Sequence, residues 1–254
     1  MNPLGRMDWL TQAEAGVRFE WGLSGAKMLA QTGGCLLVVD VLTFTTAVAV
    51  AVGKGTAVFP FPWNDARATQ FAARRDAELA VDRRATSPER PWSLSPAAIF
   101  RAPPARRLVL PSPNGSTIAA ASSGTVVAAS LRNAAAVARW AIAGGFGTPE
   151  RPAVVIAAGE RWPDGSLRPA LEDLLGAGAV IQTLREAGCA CSAEALAAAS
   201  TFMATTDVAA VVRSCSSGRQ LSSAGFLEDV IIAAGLDVDR VVPVLQDGAF
   251  AAYP

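Results

Sequence analysis

The chain has 254 residues, of which 51% are apolar, and its 22 basic residues balance its 22 acidic ones. This length can bury a full core, and the absence of net charge or of a basic run disfavours binding to nucleic acid or to an anionic membrane. The chain has no histidine, which excludes Ser-His-Asp and Cys-His triads and imidazole-bound zinc.

Short apolar runs alternate with helix-like segments along the chain. The predicted strands are Leu36–Val41, Thr56–Phe61, Leu108–Leu110, Val126–Ala129, Ala153–Ala157 and Val241–Leu245. The predicted helices are Asp65–Leu79, Thr117–Ser122, Ala134–Ala143, Ala170–Ala187, Ala193–Met203 and Phe226–Ala234. This alternation predicts a layered α/β/α fold, with helices on the faces of a mixed or mostly parallel sheet.

The first predicted strand ends in an acid. Residues 36–46 read LLVVDVLTFTT, so Asp40 follows a run of branched apolar residues. Such a run is typical of a strand buried on both faces of a parallel sheet. Ligands of open α/β sheets bind outside the carboxyl ends of strands, which makes Asp40 a candidate functional acid. Asp40 is equally suited to cap a helix from about Leu42 to Gly53, and both interpretations stay open.

Residues 82–107 are the least regular part of the sequence and are dense in proline and arginine. Long irregular segments are often functional, and we expect an excursion over the surface, with a solvated linker as the alternative. No strong change of composition flanks this segment, so the sequence predicts a single domain over residues 1–254.

Two later strands precede residues suited to an anion. After LVL, the residues Asn114, Gly115 and Ser116 can open a helix whose free amides point at an anion, although an ordinary turn and cap is the alternative. After VVAA, Arg132 can make a bidentate contact to a phosphate or carboxylate, while Asn133 caps the next helix.

Three further acids complete the candidate site. Glu160 follows the run AVVIAA, and Glu172 and Asp173 open the helix LEDLLGAGAVIQTL. Acids in a first helical turn are stabilising anyway, so a structural role is the alternative for these two. Together with Asp40 they supply the hard oxygen ligands that suit Mg²⁺, and a phosphate ester bound to Mg²⁺ and Arg132 is the natural substrate type.

Targeting signals and redox motifs are not evident. The first ten residues, MNPLGRMDWL, lack a signal-peptide pattern, and the weakly charged stretch 36–52 is shorter than the roughly 20 apolar residues of a membrane span, so we expect a cytoplasmic protein. The cysteine spacing matches neither a zinc site nor CxxC, which predicts free thiols. The cysteines are Cys35, Cys189, Cys191 and Cys215.

Several motifs run in order from about Cys35 to the end of the chain: VVDVLTFTT, SPNGST, ASLRNAAAVA, AAGERWPDG, LEDLLGAGAV, CSSGRQLSSAGFLEDV and VVPVL. In this order they resemble the 2-phosphosulfolactate phosphatases of the ComB type. The resemblance implies a layered α/β/α fold and Mg²⁺-dependent hydrolysis of 2-phosphosulfolactate to sulfolactate and phosphate, a step toward coenzyme M. The active-site positions that it implies are Asp40, Asn114, Gly115, Arg132, Asn133, Glu160, Glu172 and Asp173.

We expect Mg²⁺ to lie on two or three of the four acids and to neutralise the phosphoryl oxygens together with Arg132. Asp40 is either a metal ligand or the nucleophile that forms an aspartyl phosphate. The predicted roles are catalysis by Asp40, Arg132 and Glu160, substrate binding by Asn114, Gly115, Ser116 and Asn133, and Mg²⁺ binding by Asp40, Glu160, Glu172 and Asp173.

One position departs from the family pattern, because Thr43 stands where DVLRATT would have an arginine. If that arginine binds an anionic group of the substrate, the substrate of this chain differs. Two alternatives stay open. A haloacid-dehalogenase phosphatase also begins with an acid after a strand, but it needs a second acid where this chain has Leu42. A non-catalytic homologue that binds an anion is the other, and the apolar helix faces also allow a homodimer.

Overall fold

The computed structural model describes residues 9–29, 33–62, 65–120 and 124–253. The strands are β1 Val17–Trp21, β2 Cys35–Val39, β3 Ala57–Phe61, β4 Glu78–Leu79, β5 Arg107–Pro111, β6 Thr125–Ala129, β7 Ala153–Ala157, β8 Glu160–Arg161, β9 Leu167–Arg168, β10 Pro243–Gln246 and β11 Ala249–Ala252. The helices are α1 Gly22–Leu29, α2 Phe44–Gly53, α3 Ala66–Arg75, α4 Pro96–Arg101, α5 Gly115–Ala119, α6 Ala134–Ala143, α7 Leu171–Glu186, α8 Ala193–Ala204, α9 Val208–Ser214, α10 Ser216–Ser223 and α11 Leu227–Ala233.

Nine strands form one sheet in the order β1-β7-β2-β6-β10-β11-β3-β5-β4, while β8 and β9 form a separate antiparallel pair. The strands β1, β7, β2 and β6 are parallel to one another, and so are β3, β5 and β4. Three antiparallel pairings separate these groups, so the two groups run in opposite directions. The predicted layered α/β fold with a mixed, mostly parallel sheet is confirmed.

Alternating residues of the central strands feed two apolar cores, one on each face of the sheet. In β2, Leu37 and Val39 pack in the cluster that includes residues of α6, α7 and α8. Leu36 and Val38 pack in the cluster that includes residues of α1, α2 and α5. Successive side chains of a strand point to opposite faces, so a continuous apolar run is needed where helices cover both.

Helix α2 covers the middle of the sheet. All its residues from Phe44 to Val52 are buried, and it packs against β6, β10, β11 and β3, which are consecutive in the sheet. Adjacent strands are rotated by roughly 20–25°, so the five steps from β2 to β5 turn the strand direction by more than about 100°. The residues that follow β5 contact the end of β2, where the Gly115 amide donates to Asp40, although the two strands belong to oppositely directed groups.

Several predicted boundaries change in the structure. The helix predicted over Asp65–Leu79 ends at Arg75, because Asp76 adopts a left-handed conformation and the chain then enters β4. The helix predicted over Thr117–Ser122 runs instead over Gly115–Ala119, and residues 121–122 lie outside the described residues. The sequence missed the edge strand β1, whose charged residues interrupt its apolar pattern, and β11, which pairs with β10.

The segment 82–107 is packed and is not a solvated linker. It contains a 3₁₀ turn at Arg83–Ala85 and the helix α4. Ile99 is buried in the core, and Leu94 packs against the same cluster. The segment therefore has fixed positions at which its charged residues can contribute to a site.

Within the described ranges, no single helix is both long and apolar enough to cross a bilayer. The helices α8 and α9 meet that criterion only as a pair, and the chain bends by 101° between them.

Candidate active site

A cavity of about 510 Å³ collects residues that follow three strands of the sheet. Asp40 follows β2, Asn114 follows β5, and Glu160 follows β7 in the short strand β8. The segment that begins at Asp82, the β8–β9 pair and α10 supply other parts of the wall. The cavity therefore joins three of the four predicted groups of polar residues.

Asp40 connects the starts of two helices. Its Oδ1 accepts a hydrogen bond from the Phe44 amide and its Oδ2 accepts one from the Gly115 amide, both at 3.1 Å. Burial raises the pKa of Asp40 to about 6; these amides and Arg83 oppose the shift, while the carboxylate of Glu172 adds to it. A Cβ on Gly115 would lie 2.2 Å from the Phe44 ring and 2.9 Å from Oδ2 of Asp40, so glycine permits this close approach.

The position of Asp40 is compatible with both predicted roles, a helix cap and a functional acid. The carboxylate binds the first amide of α2, as a capping residue does, and it also faces the cavity. An acid that is fixed by two amides keeps one orientation, and each of its oxygens retains a second lone pair.

Asp173 joins the ends of two parallel strands. Its Oδ1 accepts from the Val41 amide at 2.7 Å and its Oδ2 accepts from the Gly159 amide at 2.9 Å. Burial raises the pKa of Asp173 well above its ordinary value, and the nearby carboxylates of Asp40 and Glu172 raise it further. Asp173 is not among the residues that line the cavity. It supports the loops after β2 and β7 from behind.

Glu160 is the second acid in the cavity wall. Burial raises the pKa of Glu160 to about 7, and the carboxylates of Asp40 and Glu172 act in the same direction. Arg168 and a 3.3 Å hydrogen bond from Nδ2 of Asn114 oppose the shift. The acids in and behind the wall are therefore close enough to repel one another, which favours a bound cation.

Two of the four predicted acids, Asp40 and Glu160, are placed where they could hold Mg²⁺. Among the described residues, no group of three or more His, Cys, Asp or Glu side chains is arranged to hold a metal ion. Magnesium commonly takes only one or two carboxylates and completes its shell with water and substrate phosphate. Asp40 and Glu160 face the cavity and would serve in this way. Glu172 is 2% exposed, accepts a hydrogen bond from the Cys215 thiol at 3.2 Å, and does not line the cavity.

Arg132 was predicted to lie in the active site, but the structure places it outside the cavity that contains Asp40. Its Nε and Nη2 bind the two carboxylate oxygens of Asp239 at 2.7 and 2.9 Å, and its Nη1 donates to the Ile232 carbonyl at 2.8 Å. It lines a different cavity, beside Lys54 and Val241. All three guanidinium nitrogens are thus used within the chain, and the sequence did not show that Asp239 would be the partner.

Three predicted substrate-binding residues hold the backbone instead. Asn133 is fully buried; its Oδ1 accepts from the Ser130 amide at 2.8 Å, and its Nδ2 donates to the Val241 carbonyl at 3.1 Å. Ser116 is fully buried and donates to the Leu110 carbonyl at 3.5 Å. Gly115 acts through its bond to Asp40, so only Asn114 of the predicted group lines the cavity.

The cavity has a set of arginines that the sequence analysis did not select. Arg168 donates to Ser217 Oγ at 3.0 Å, and its charge is felt by Glu160. The signal that could have found them is the density of arginine in 82–107 and in ERWPDGSLR. The arginines in the wall are Arg83, Arg84, Arg161 and Arg168.

Thr43, the position that departs from the family pattern, lies against one of these arginines. Nη2 of Arg83 donates to Thr43 Oγ1 at 2.5 Å, and both residues line the cavity. A guanidinium from a segment 40 residues further along the chain therefore reaches the wall where the resemblance expects an arginine.

Comparison with known proteins agrees with these features. The model of the family described as 2-phosphosulpholactate phosphatase matches residues 25–248, a range that includes every residue of the cavity wall. The search of curated proteins finds no match. The family's description names a phosphatase, a phosphoric monoester hydrolase, which implies a small phosphate ester as substrate. Since the match covers most of its length, the chain belongs to the 2-phosphosulpholactate phosphatase family.

Proposed function

We propose that the protein is a Mg²⁺-dependent phosphatase of 2-phospho-hydroxy acids, as in the hydrolysis of 2-phosphosulfolactate to 3-sulfolactate and phosphate. The observation that carries the proposal is the placement of Asp40 and Glu160 in one cavity with four arginines. Carboxylates suit a hard cation, and guanidinium groups suit phosphoryl oxygens and carboxylates. The family match supports phosphatase chemistry.

Phosphoryl transfer is catalysed mainly by positioning and by charge stabilisation, and the cavity offers groups for both. When bound, Mg²⁺ would neutralise charge on the phosphoryl oxygens. Arg168, fixed by Ser217, would neutralise charge beside Glu160. In the reaction a water oxygen bonds to phosphorus as the ester P–O bond breaks; the water loses one proton, and the leaving oxygen gains one.

Asp40 retains two possible roles, metal ligand and nucleophile. As a ligand it contributes one oxygen lone pair to Mg²⁺. As a nucleophile it forms an aspartyl phosphate that water then hydrolyses. The variant Asp40→Asn separates the two when Mg²⁺ binding is measured by calorimetry. Weaker Mg²⁺ binding indicates the ligand role, and normal binding without turnover indicates the nucleophile.

The test of the proposal is phosphate release from a panel of 2-phospho-hydroxy acids that includes 2-phosphosulfolactate and 2-phospholactate. We expect release with Mg²⁺ and none after chelation by EDTA. Arg101→Gln, a substitution on α4 outside the cavity wall, serves as the control. Absence of release from every substrate, with folded protein and Mg²⁺ present, would leave the non-catalytic anion-binding homologue as the better account.

Three further proposals rest on the resemblance and on composition. The family supports a place in coenzyme M synthesis, the sequence pattern supports a cytoplasmic location, and the apolar helix faces support a homodimer. Light scattering on the purified protein measures the last of these directly.

A further inference from the structure

Arg83 differs from the other arginines of the chain in how it is held. Its side chain is 21% exposed, and its Nε lies 3.3 Å from Oδ2 of Asp229, which is 1% exposed. Asp229 Oδ1 accepts from Ser95 Oγ at 2.5 Å and from the Ala97 amide at 3.0 Å. The guanidinium also lies over the Phe226 ring, at 5.6 Å from its centroid. A buried acid, an aromatic ring and the loop after β4 therefore fix the head group.

The guanidinium of Arg83 has hydrogen-bond donors that no described residue accepts. Nη2 donates to Thr43 Oγ1 at 2.5 Å and to the Leu94 carbonyl at 3.3 Å. The Nε hydrogen is not aligned for a hydrogen bond to Asp229, since both of these buried atoms lack a hydrogen-bond partner. No described residue accepts a hydrogen bond from Nη1 of Arg83. Arg132, in contrast, uses all three of its nitrogens.

The position of Arg83 separates it from the other guanidinium groups of the wall. Arg83 contacts Thr43, after β2, and Asp229 on α11. Arg168 is held by Ser217 on α10. The cavity thus has two cations that are fixed by different elements, and its volume of about 510 Å³ accommodates a small molecule with two anionic groups.

We propose that Arg83 binds the carboxylate of the substrate, apart from the phosphoryl group, and that Asp229 positions it for this contact. The inference rests on the proposed phosphatase function and assigns the specificity of that same cavity. No described residue accepts a hydrogen bond from Nη1, and one of its hydrogens can make a charge-assisted hydrogen bond to a carboxylate oxygen. Thr43, too short to bind the carboxylate itself, supports the neighbouring arginine.

The test compares two substrates that differ only in the carboxylate: 2-phospholactate and isopropyl phosphate, in which a methyl group replaces it. For Arg83→Gln we expect KM for 2-phospholactate to rise roughly 10- to 100-fold, as for loss of a charge-assisted hydrogen bond. KM for isopropyl phosphate should change less than about twofold, since that substrate never makes the contact, while any effect of Arg83 on Asp40 should change kcat for both substrates alike. Arg83→Lys keeps the charge without the fork and should lie between.

Asp229→Asn tests the positioning role. It should raise KM for 2-phospholactate while leaving isopropyl phosphate unaffected, and the double variant with Arg83→Gln should lose no more than Arg83→Gln alone. The matched control is Arg101→Gln, because Arg101 pairs with Glu228, the neighbour of Asp229, at 2.5 Å on the exposed surface. Its kinetic constants should equal those of the native chain. Melting curves of every variant verify folding.

Equal losses on both substrates would overturn the proposal in favour of a phosphoryl contact, and no loss on either would leave Arg83 a structural residue. Failure of the phosphatase function is recognised separately, as absence of turnover by the native chain. In that case calorimetry measures how tightly the native chain and Arg83→Gln bind the methylene phosphonate analogue of 2-phospholactate, and this comparison tests the carboxylate contact. Binding that Arg83→Gln weakens roughly 10- to 100-fold supports the carboxylate contact, and absent or equal binding refutes it.

Discussion

Asp40 and Arg132 follow neighbouring parallel strands, yet only Asp40 faces the candidate active-site cavity. The strands β2 and β6 pair along their whole length, from Cys35 opposite Thr125 to Val39 opposite Ala129. Asp40 is the next residue after β2, and Arg132 lies in the turn after β6. By sequence position the two are equivalent candidates for one site.

Asp40 and Arg132 differ in the partners that the rest of the chain places beside them. Asp40 binds two backbone amides, and no described side chain forms an ion pair with it, so it retains charge toward the cavity. Arg132 forms a bidentate ion pair with Asp239, and this pair neutralises its charge. A charged residue at a strand end is thus available for function only when its own chain leaves it unsatisfied.

The largest effect is expected for Asp40→Asn, which keeps the shape of the side chain and removes its charge. Phosphate release should fall by about a thousandfold or more, because this residue contacts either the metal or phosphorus. Steady-state kinetics on the best substrate of the panel measures it. Activity within about tenfold of the native chain would show that the Asp40 cavity is not the reaction centre.

Arg132→Gln should act on stability and not on turnover. The ion pair is largely buried, with 13% and 24% of the two side chains exposed, and the variant leaves Asp239 without its partner. We expect a loss of about 2–3 kcal/mol in the free energy of unfolding. Urea unfolding measures the loss, and Asp239→Asn should give a similar one. A fall in kcat without any loss of stability would indicate that Arg132 takes part in the reaction.

Gly115→Ala tests the close approach beside Asp40. The added Cβ would meet the Phe44 ring at 2.2 Å, so we expect a loss of about 1–3 kcal/mol in stability together with reduced activity. Gly53→Ala is the matched control, because the nearest atom to its Cβ is a Val241 methyl at 3.9 Å. If both variants behave like the native chain, the contact between α5 and Asp40 is looser than the structure shows.

The last prediction concerns how the stability of the metal-free protein depends on pH. Folding raises the pKa of Asp40 to about 6 and that of Glu160 to about 7, so the folded state binds protons more tightly than the unfolded chain. Stability should therefore fall as pH rises from about 4 to 7, by roughly 2–3 kcal/mol per carboxyl.

Urea unfolding at several pH values, with and without Mg²⁺, measures this dependence. Asp40→Asn should flatten the curve because it removes one of the titrating carboxyl groups. Magnesium should flatten it as well, since the metal binds the ionised carboxylates and offsets their repulsion. An equally steep curve for the native chain and for Asp40→Asn would show that other groups set the pH dependence.

The sequence by itself determined the fold class, most of the strands and the family. Apolar runs such as Leu36–Val39 predict strands buried on both faces, and α6 was predicted with its observed bounds, Ala134–Ala143. These features are local, since the period of apolar residues and the order of motifs are written along the chain. The acids Asp40 and Glu160 were found in the same way, because each directly follows or nearly follows such a run.

Only the tertiary structure decided which charged groups share a cavity. Arg83 donates a hydrogen bond to Thr43, which lies 40 residues away along the chain. Asp239 forms an ion pair with Arg132, which lies 107 residues away. The packing of segment 82–107 against the core and the pairing of β10 with β6 produce these contacts. The strength of a charge at a site depends on partners and burial, and both are properties of the folded chain rather than of the residue.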